Sequence, residues 1–434
     1  MPATLVQAIG RLALVGLVLN SVIGSSVFGL PSVIAARLGA ASPWAWLVAA
    51  AGMALVVACF AEVASRFRQA GGAYLYARVA FGQFAGIEMA WLTYLVRLTA
   101  AATNANLFVI YLAEFWPRAT GPVESRVVLG LILAPLAVAN YRGVDLGVTL
   151  SNAFTIGKLV PLGLFVVAGL LLLPSLAPAG AEAARGASPP VAGTGAWLEI
   201  ILLLVFAYGG FESALMPLGE AKNPRRDAPV ALLAALGICA LLYTMVQAVV
   251  IAALEDPGAS QRPLAAAAEV FLGPAGATLM AVGALVSVYG YLTGAMVNVP
   301  RLTYAMAEQG DLPPGLGAVH PRFRTPHVSV LLFAALVWVL AAAGSFLENL
   351  TLSAVSRLAT YGAICIALVV LRRKEKGPSA KVESPWFRLP AGVAVAALGL
   401  GFTAVLALRM SGRELLVLAV TLAAGLVHWV WMRR

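Results

Sequence analysis

The chain has 434 residues, 61% of them hydrophobic and 11% charged, with a mean hydropathy of +0.91. Soluble domains are about 45–50% apolar, so this composition excludes a water-soluble fold and indicates an integral membrane protein. The formal charge of +10 does not indicate nucleic acid, because the basic residues stand in short segments between apolar blocks, which is the pattern of membrane topology.

The apolar blocks are about 18–27 residues long, enough at 1.5 Å per residue to cross a hydrocarbon layer of about 30 Å. They predict an all-α protein with twelve spans, at about 9–37, 43–65, 83–113, 125–141, 149–174, 196–220, 228–254, 272–306, 328–344, 349–371, 389–409 and 414–432. The first block runs into the second without a cleavage site, so the first helix is expected to be retained. With the amino terminus in the cytosol, nineteen of the 29 basic residues fall on the cytosolic side and seven outside. The other three, Arg97, Lys158 and Arg357, lie within spans. This excess predicts a multi-pass protein of the cell membrane with both termini cytoplasmic.

The first span is interrupted by "NSVIGSSVFGLP" at 20–31, where glycine and two serines occupy the middle of an apolar run. A chain that unwinds in lipid leaves N–H and C=O groups without partners, at a cost of several kcal/mol each, of order 2–7. Around Gly24, Ser25 and Ser26 a downstream half-helix presents N–H groups and a positive dipole end, which suits a carboxylate. Ser21 and Asn104 are candidate pocket-lining residues.

The second interruption, "FAYGGFE" at 206–212, lies in the sixth span. Carbonyls near Val22 and Ile23 in span one, and of Phe206, Ala207 and Tyr208 before Gly209 and Gly210 in span six, suit an ammonium group. Phe206 and Tyr208 either close over a solute or pack as helix-helix aromatics. Five spans separate the two interruptions, so the second copy crosses in the opposite sense. The prediction is a five-plus-five inverted repeat with discontinuous helices one and six: spans 1–5 over residues 1–174 and spans 6–10 over 196–371, with two added helices over 389–434, all in one transporter domain. Paired interruptions of this kind mark a binding site at the bilayer midplane, and a zwitterionic α-amino acid fits both ends.

The segments "IGSSVFGLP", "AEVASRF" with "GGAYLYARVAFG", "FAYGGFESA", "GEAKNPRRDAP" and "PRLTYAMAEQGDLP" with "HPRFRTP" together resemble signatures of the amino acid-polyamine-organocation superfamily over about residues 9–370. The resemblance implies alternating access and amino acid or amine substrates. Members usually show glycine, any residue, glycine in the first interruption, and Ser26 departs from that pattern, either narrowing the carboxylate cradle or adding a hydroxyl donor.

Ionisable groups inside hydrocarbon need a reason. Lys158 lies about 14 Å into span five. It either snorkels or, as the resemblance to proton-coupled members implies, puts an amine where sodium-coupled relatives hold their ion. There it would bond carbonyls near Val22 and Ile23, with Ser287 of span eight as a further partner. Glu212 is the second candidate for the coupling proton, the alternative being a structural carboxylate bonded to backbone N–H groups. Arg97 and Glu88 share span three but stand about 13 Å apart along the axis; Arg97 either pairs with another span or faces the pocket as a selectivity residue. Arg357 reads as gate or scaffold. The Tyr74, Tyr76 and Gly-Gly cluster before span three is expected to shape a cytosolic loop that seals the inward vestibule.

Cys59, Cys239 and Cys365 fall in apolar blocks and read as small buried hydrophobes. No phosphate loop, metal-ligand spacing or Ser/His/Asp constellation is present, so neither a metal nor a cofactor is expected. The reading is a secondary transporter and not an enzyme: a proton symporter that takes up a neutral, small or apolar amino acid. Its partners are the solute, the proton and the lipid bilayer. An amino acid exchanger on the same scaffold is the near alternative, and a membrane enzyme or non-transporting sensor the distant one.

Overall fold

The computed structural model describes residues 10–68, 71–143, 148–176, 193–215, 218, 221–308, 310–375 and 383–432. Within them the chain is built from α-helices joined by short connections. In order these are α1 (Arg11–Val22), α2 (Ser26–Leu38), α3 (Ser42–Ala64), α4 (Gly72–Phe81), α5 (Gln83–Leu112), α6 (Glu124–Tyr141), α7 (Val148–Leu176) and α8 (Thr194–Tyr208). The series continues with α9 (Phe211–Ala214), α10 (Pro224–Ala253), α11 (Pro263–Glu308), α12 (His327–Ala343), α13 (Phe346–Glu375), α14 (Gly392–Ala407) and α15 (Gly412–Met432).

Among the described residues, nine helices or helix pairs are long and apolar enough to cross a membrane; three more, α1, α12 and α14, are apolar but shorter. The first predicted span is two half-helices, α1 and α2, parted at Ile23–Ser25. The sixth is α8 and α9, parted at Gly209 and Gly210. Its downstream half is a single turn, shorter than the block read from the sequence. Residues 216, 217, 219 and 220, which would continue it, lie outside the described residues. α11 begins earlier than predicted because Gly273, at φ 66° and ψ −164°, joins a short leading helix to the long one; only glycine takes that backbone without strain.

The most extensive helix contacts are α5 with α13, α3 with α10, and α7 with α11. α1 packs on α10, α8 packs on α3, and α6 on α12. α14 covers α3 and α13, and α15 lies against α5. The two half-helix pairs therefore sit inside a ring of longer helices. The outward faces keep large apolar side chains, among them Leu131, Leu171, Leu398 and Val427, as expected where lipid is the solvent.

The two ends of the helix bundle differ in chemistry. At the end where α1 begins, three carboxylates are buried in ion pairs. Glu62 receives Arg66 Nη2 at 3.1 Å and Arg372 Nε at 2.8 Å. Asp227 receives Arg11 Nε at 2.8 Å, and Asp311 receives Arg78 Nη1 at 2.5 Å, Gln83 Nε2 at 3.2 Å and the Tyr74 hydroxyl. At the other end Arg37–Glu199, Arg262–Glu114 and Arg413–Glu348 form more exposed pairs.

Candidate functional site

The site is where the two breaks meet. Gly210 has φ 105°, and a Cβ added there would collide with the Ser21 carbonyl oxygen. Glycine thus satisfies two demands at once: a left-handed turn and contact between the two interrupted backbones.

In the first break Ile23 turns extended, at φ −75° and ψ 98°, and α2 starts at Ser26. The Ser25 N–H donates to Asn104 Oδ1 at 3.1 Å, while Asn104 Nδ2 donates to the Ala100 carbonyl at 2.8 Å. That second bond leaves the amide oxygen as the group facing the break. Lys158 Nζ, fully buried, donates to the carbonyls of Asn20 at 3.2 Å and Ile23 at 2.8 Å. The Val22 carbonyl accepts from the Tyr243 hydroxyl at 3.3 Å. Lys158 therefore reaches the end of α1 rather than snorkelling. The Ser287 hydroxyl, the partner expected for it, is buried without a hydrogen bond among the described residues, because the carbonyls of the break take the ammonium instead.

In the second break the Phe206 carbonyl accepts from the Gly209 N–H and from Arg357 Nη1, each at 3.1 Å. The Gly210 N–H donates to Glu212 Oε2 at 2.8 Å. Glu212 Oε1 lies 3.5 Å from Arg97 Nη2 and 3.3 Å from Arg357 Nε, and Oε2 accepts from the Tyr361 hydroxyl at 3.4 Å. One carboxylate thus stands between two guanidinium groups, all buried. Arg97 has its partner on another span, at the second break. Glu88 instead lies against Gly425 of α15.

Ser21, Val22, Gly24, Ser25, Ser26, Asn104, Phe206, Gly209, Tyr291 and Arg357 surround a cavity of about 10 Å³, the space of roughly one water molecule. The Ser25 hydroxyl is buried in its wall without a hydrogen bond among the described residues. Larger hollows of about 470 Å³, beside Glu114 and Arg262, and about 460 Å³, on the outer surface at Trp91 and Trp431, lie away from the breaks.

Two sequence readings change here. Tyr208 turns away from the cavity: its hydroxyl donates to the Trp46 carbonyl at 2.9 Å and its ring packs on Trp46 and Tyr243, with Ala207 buried beside it. Arg357, read as gate or scaffold, is part of the cavity wall. Sequence reasoning also missed Tyr243 and Gln247, four residues apart on one face of α10. Gln247 accepts from Trp46 Nε1 and donates to the Pro31 carbonyl and Ser42. A glutamine in so apolar a helix was the available signal.

Residues 9–424 match a family model described as amino acid permease. The chain is 27% identical to the serine/threonine exchanger SteT of Bacillus subtilis over 88% of this chain and 87% of that one. It is 28% identical to a methylthioribose transporter of the same organism, over 96% and 91%. It is 24% identical to that organism's branched-chain amino acid permease BcaP, over 99% and 94%.

Proposed function

The chain belongs to the amino acid permease family, and on that premise we propose a secondary transporter that carries a small neutral amino acid across the cell membrane by alternating access, coupled to a proton. One observation carries the reading: two interrupted helices meet deep in the bundle, with residues of both breaks lining a common small cavity. The solute carboxylate binds at the start of α2, near the Ser25 N–H and hydroxyl, and its ammonium at the carbonyls that end α8. The Arg97 guanidinium is paired with Glu212, and that of Arg357 is shared between Glu212 and the Phe206 carbonyl, which leaves the side chain of the solute to Val22, Gly24 and Phe206.

The twelve-span, five-plus-five arrangement finds support in the packing. In an inverted repeat, each contact between spans m and n has a counterpart five spans on. α7 with α11 corresponds in this way to α5 with α13, and α1 with α10 to α8 with α3; both members of each pair are in contact. The positive-inside count supports cytoplasmic termini.

Lys158 is the coupling group in this proposal. Protonated, its ammonium binds the carbonyls of Asn20 and Ile23 through charge-assisted hydrogen bonds; neutral, the amine holds the same two carbonyls more weakly, and the break is freed to move. Glu212 is less suited, because neutralising it would orphan two buried guanidinium groups. Reconstituted Lys158→Met protein is expected to lose at least about tenfold in accumulation driven by a pH gradient, while still exchanging solute across the membrane. Wild-type accumulation by the variant would remove Lys158 from the mechanism.

A further inference from the structure

We propose that a membrane lipid whose headgroup carries an ammonium group binds in a hollow between α5, α15 and the connection after α11, away from the two breaks. This site is separate from the transport reading above and stands whether or not a proton is coupled there. The hollow measures about 460 Å³ and is lined by Trp91, Pro313, Ala424, Val427, His428 and Trp431. Among the described residues α15 is the least buried of the nine candidate spans. A histidine on so lipid-exposed a helix calls for a partner.

Five buried polar atoms gather there without a hydrogen bond among the described residues: both carboxylate oxygens of Glu88, Nε1 of Trp91 and both ring nitrogens of His428. His428 is 6% exposed and lines the hollow with Trp91, their rings 6.2 Å apart. Glu88 stands one turn before Trp91 on α5, its carboxylate against Gly425, which in turn stands one turn before His428 on α15. The two helices thus bring a carboxylate and an imidazole to the same place. The buried carboxylates of Glu62, Asp227, Asp311 and Glu212 are each met by an arginine. Glu88 has no ion pair among the described residues. Leaving such a group unbonded is costly, and an occupant that bonds it removes the cost.

A carboxylate beside aromatic rings is the chemistry that recognises an ammonium group. Trp91, His428 and Trp431 supply the rings and Glu88 the countercharge. The Trp91 indole N–H and the N–H of a neutral His428 are donors for the phosphate that neighbours the amine in a phospholipid headgroup. Depth agrees with this assignment. Glu88 lies about 7–8 Å along α5 from Gln83, whose amide bonds Asp311 at the end where α1 begins, so the hollow is near the headgroup boundary. The source is a lipid rather than a free phosphoamine, because the hollow opens on the apolar side of α15. There Leu422, Leu426, Val427 and Val430 are exposed to receive an acyl chain. Pro313, in the wall, is two residues from Asp311, so the occupant also packs on the connection that ties down α4.

The experiment uses the full chain in detergent and reads retained lipid by native mass spectrometry, with phosphatidylethanolamine, phosphatidylglycerol of the same acyl chains and soluble O-phosphoethanolamine offered separately. Phosphatidylethanolamine is expected to be retained at least about tenfold more strongly than phosphatidylglycerol, and Glu88→Gln, which keeps the shape and removes the charge, to bring the two within about threefold. His428→Phe keeps a ring and loses the donor; it is expected to weaken both lipids by about tenfold while leaving the preference. Thermal midpoints of both variants without added lipid are expected to match wild type, which separates lost binding from lost folding. Equal retention of the two lipids by wild type, or an unchanged preference in Glu88→Gln, overturns the inference. So does retention of O-phosphoethanolamine as strong as that of the lipid, or a dimer through α15 that excludes the lipid.

Discussion

Gly210 shows how much one residue can carry when two backbones meet. Its positive φ costs a residue with a Cβ about 1–2 kcal/mol, and the Ser21 carbonyl leaves no space for that Cβ. Gly210→Ala is therefore expected to lower the thermal midpoint in detergent and to abolish transport. Gly16→Ala, in α1 with open space beside it, is expected to be neutral or slightly stabilising. A Gly210→Ala protein with the melting curve and flux of wild type would show that the contact between the breaks is dispensable. Both glycines of "FAYGGFE" were legible because an interruption stands out in an apolar run. The role of Arg357 was not, since a buried arginine on one helix says nothing about which carbonyl of another it meets.

At the scale of elements, α4 packs on α5 and α13 and is tied to the connection after α11 by an ion pair. It is bounded by Gly71 and Gly82, and Tyr74 and Arg78, one turn apart, both reach the buried carboxylate of Asp311 in the connection after α11. Burial, with the Asp311 carboxylate adding to it, pushes the Tyr74 phenol up to about 12. A raised phenol pKa stabilises the folded protein below the ordinary value near 10, and that contribution is lost as pH climbs from about 10 to 12. The latch is thus intact at physiological pH. Asp311→Asn removes the carboxylate partner of Arg78 and is expected to cost about 1–2 kcal/mol, since Arg78 is a third exposed. It should also speed hydrogen exchange across residues 72–81, with little change in α12; uniform exchange rates would mean that α4 is held by its other contacts. The sequence pointed to this segment as a loop sealing the inward vestibule, whereas it is a helix, because Tyr74 and Tyr76 with Ala73, Ala77 and Ala80 bury one face of it. The partner, some 230 residues away, could not be inferred from local pattern.

At the scale of the whole molecule, the charge asymmetry between the two ends makes orientation testable. Cys59, Cys239 and Cys365 are all buried, so an introduced surface cysteine reports against a low background. Glu255→Cys, exposed after α10, is expected to react with an impermeant thiol reagent on intact cells, and Arg322→Cys, exposed before α12, only after permeabilisation. The reverse pattern would invert the proposed topology.

The membrane class, most of the long apolar helices and the two breaks were already written in the linear chain, because run length and interruption are local properties that hydrocarbon enforces along each segment. Which groups satisfy the breaks was settled by packing alone. Asn104, Lys158, Tyr243 and Arg357 come from four helices and lie 79 to 221 residues from their backbone partners. Whether a side chain reaches a given carbonyl depends on the rotation and depth of its helix against its neighbours, and no single segment encodes either.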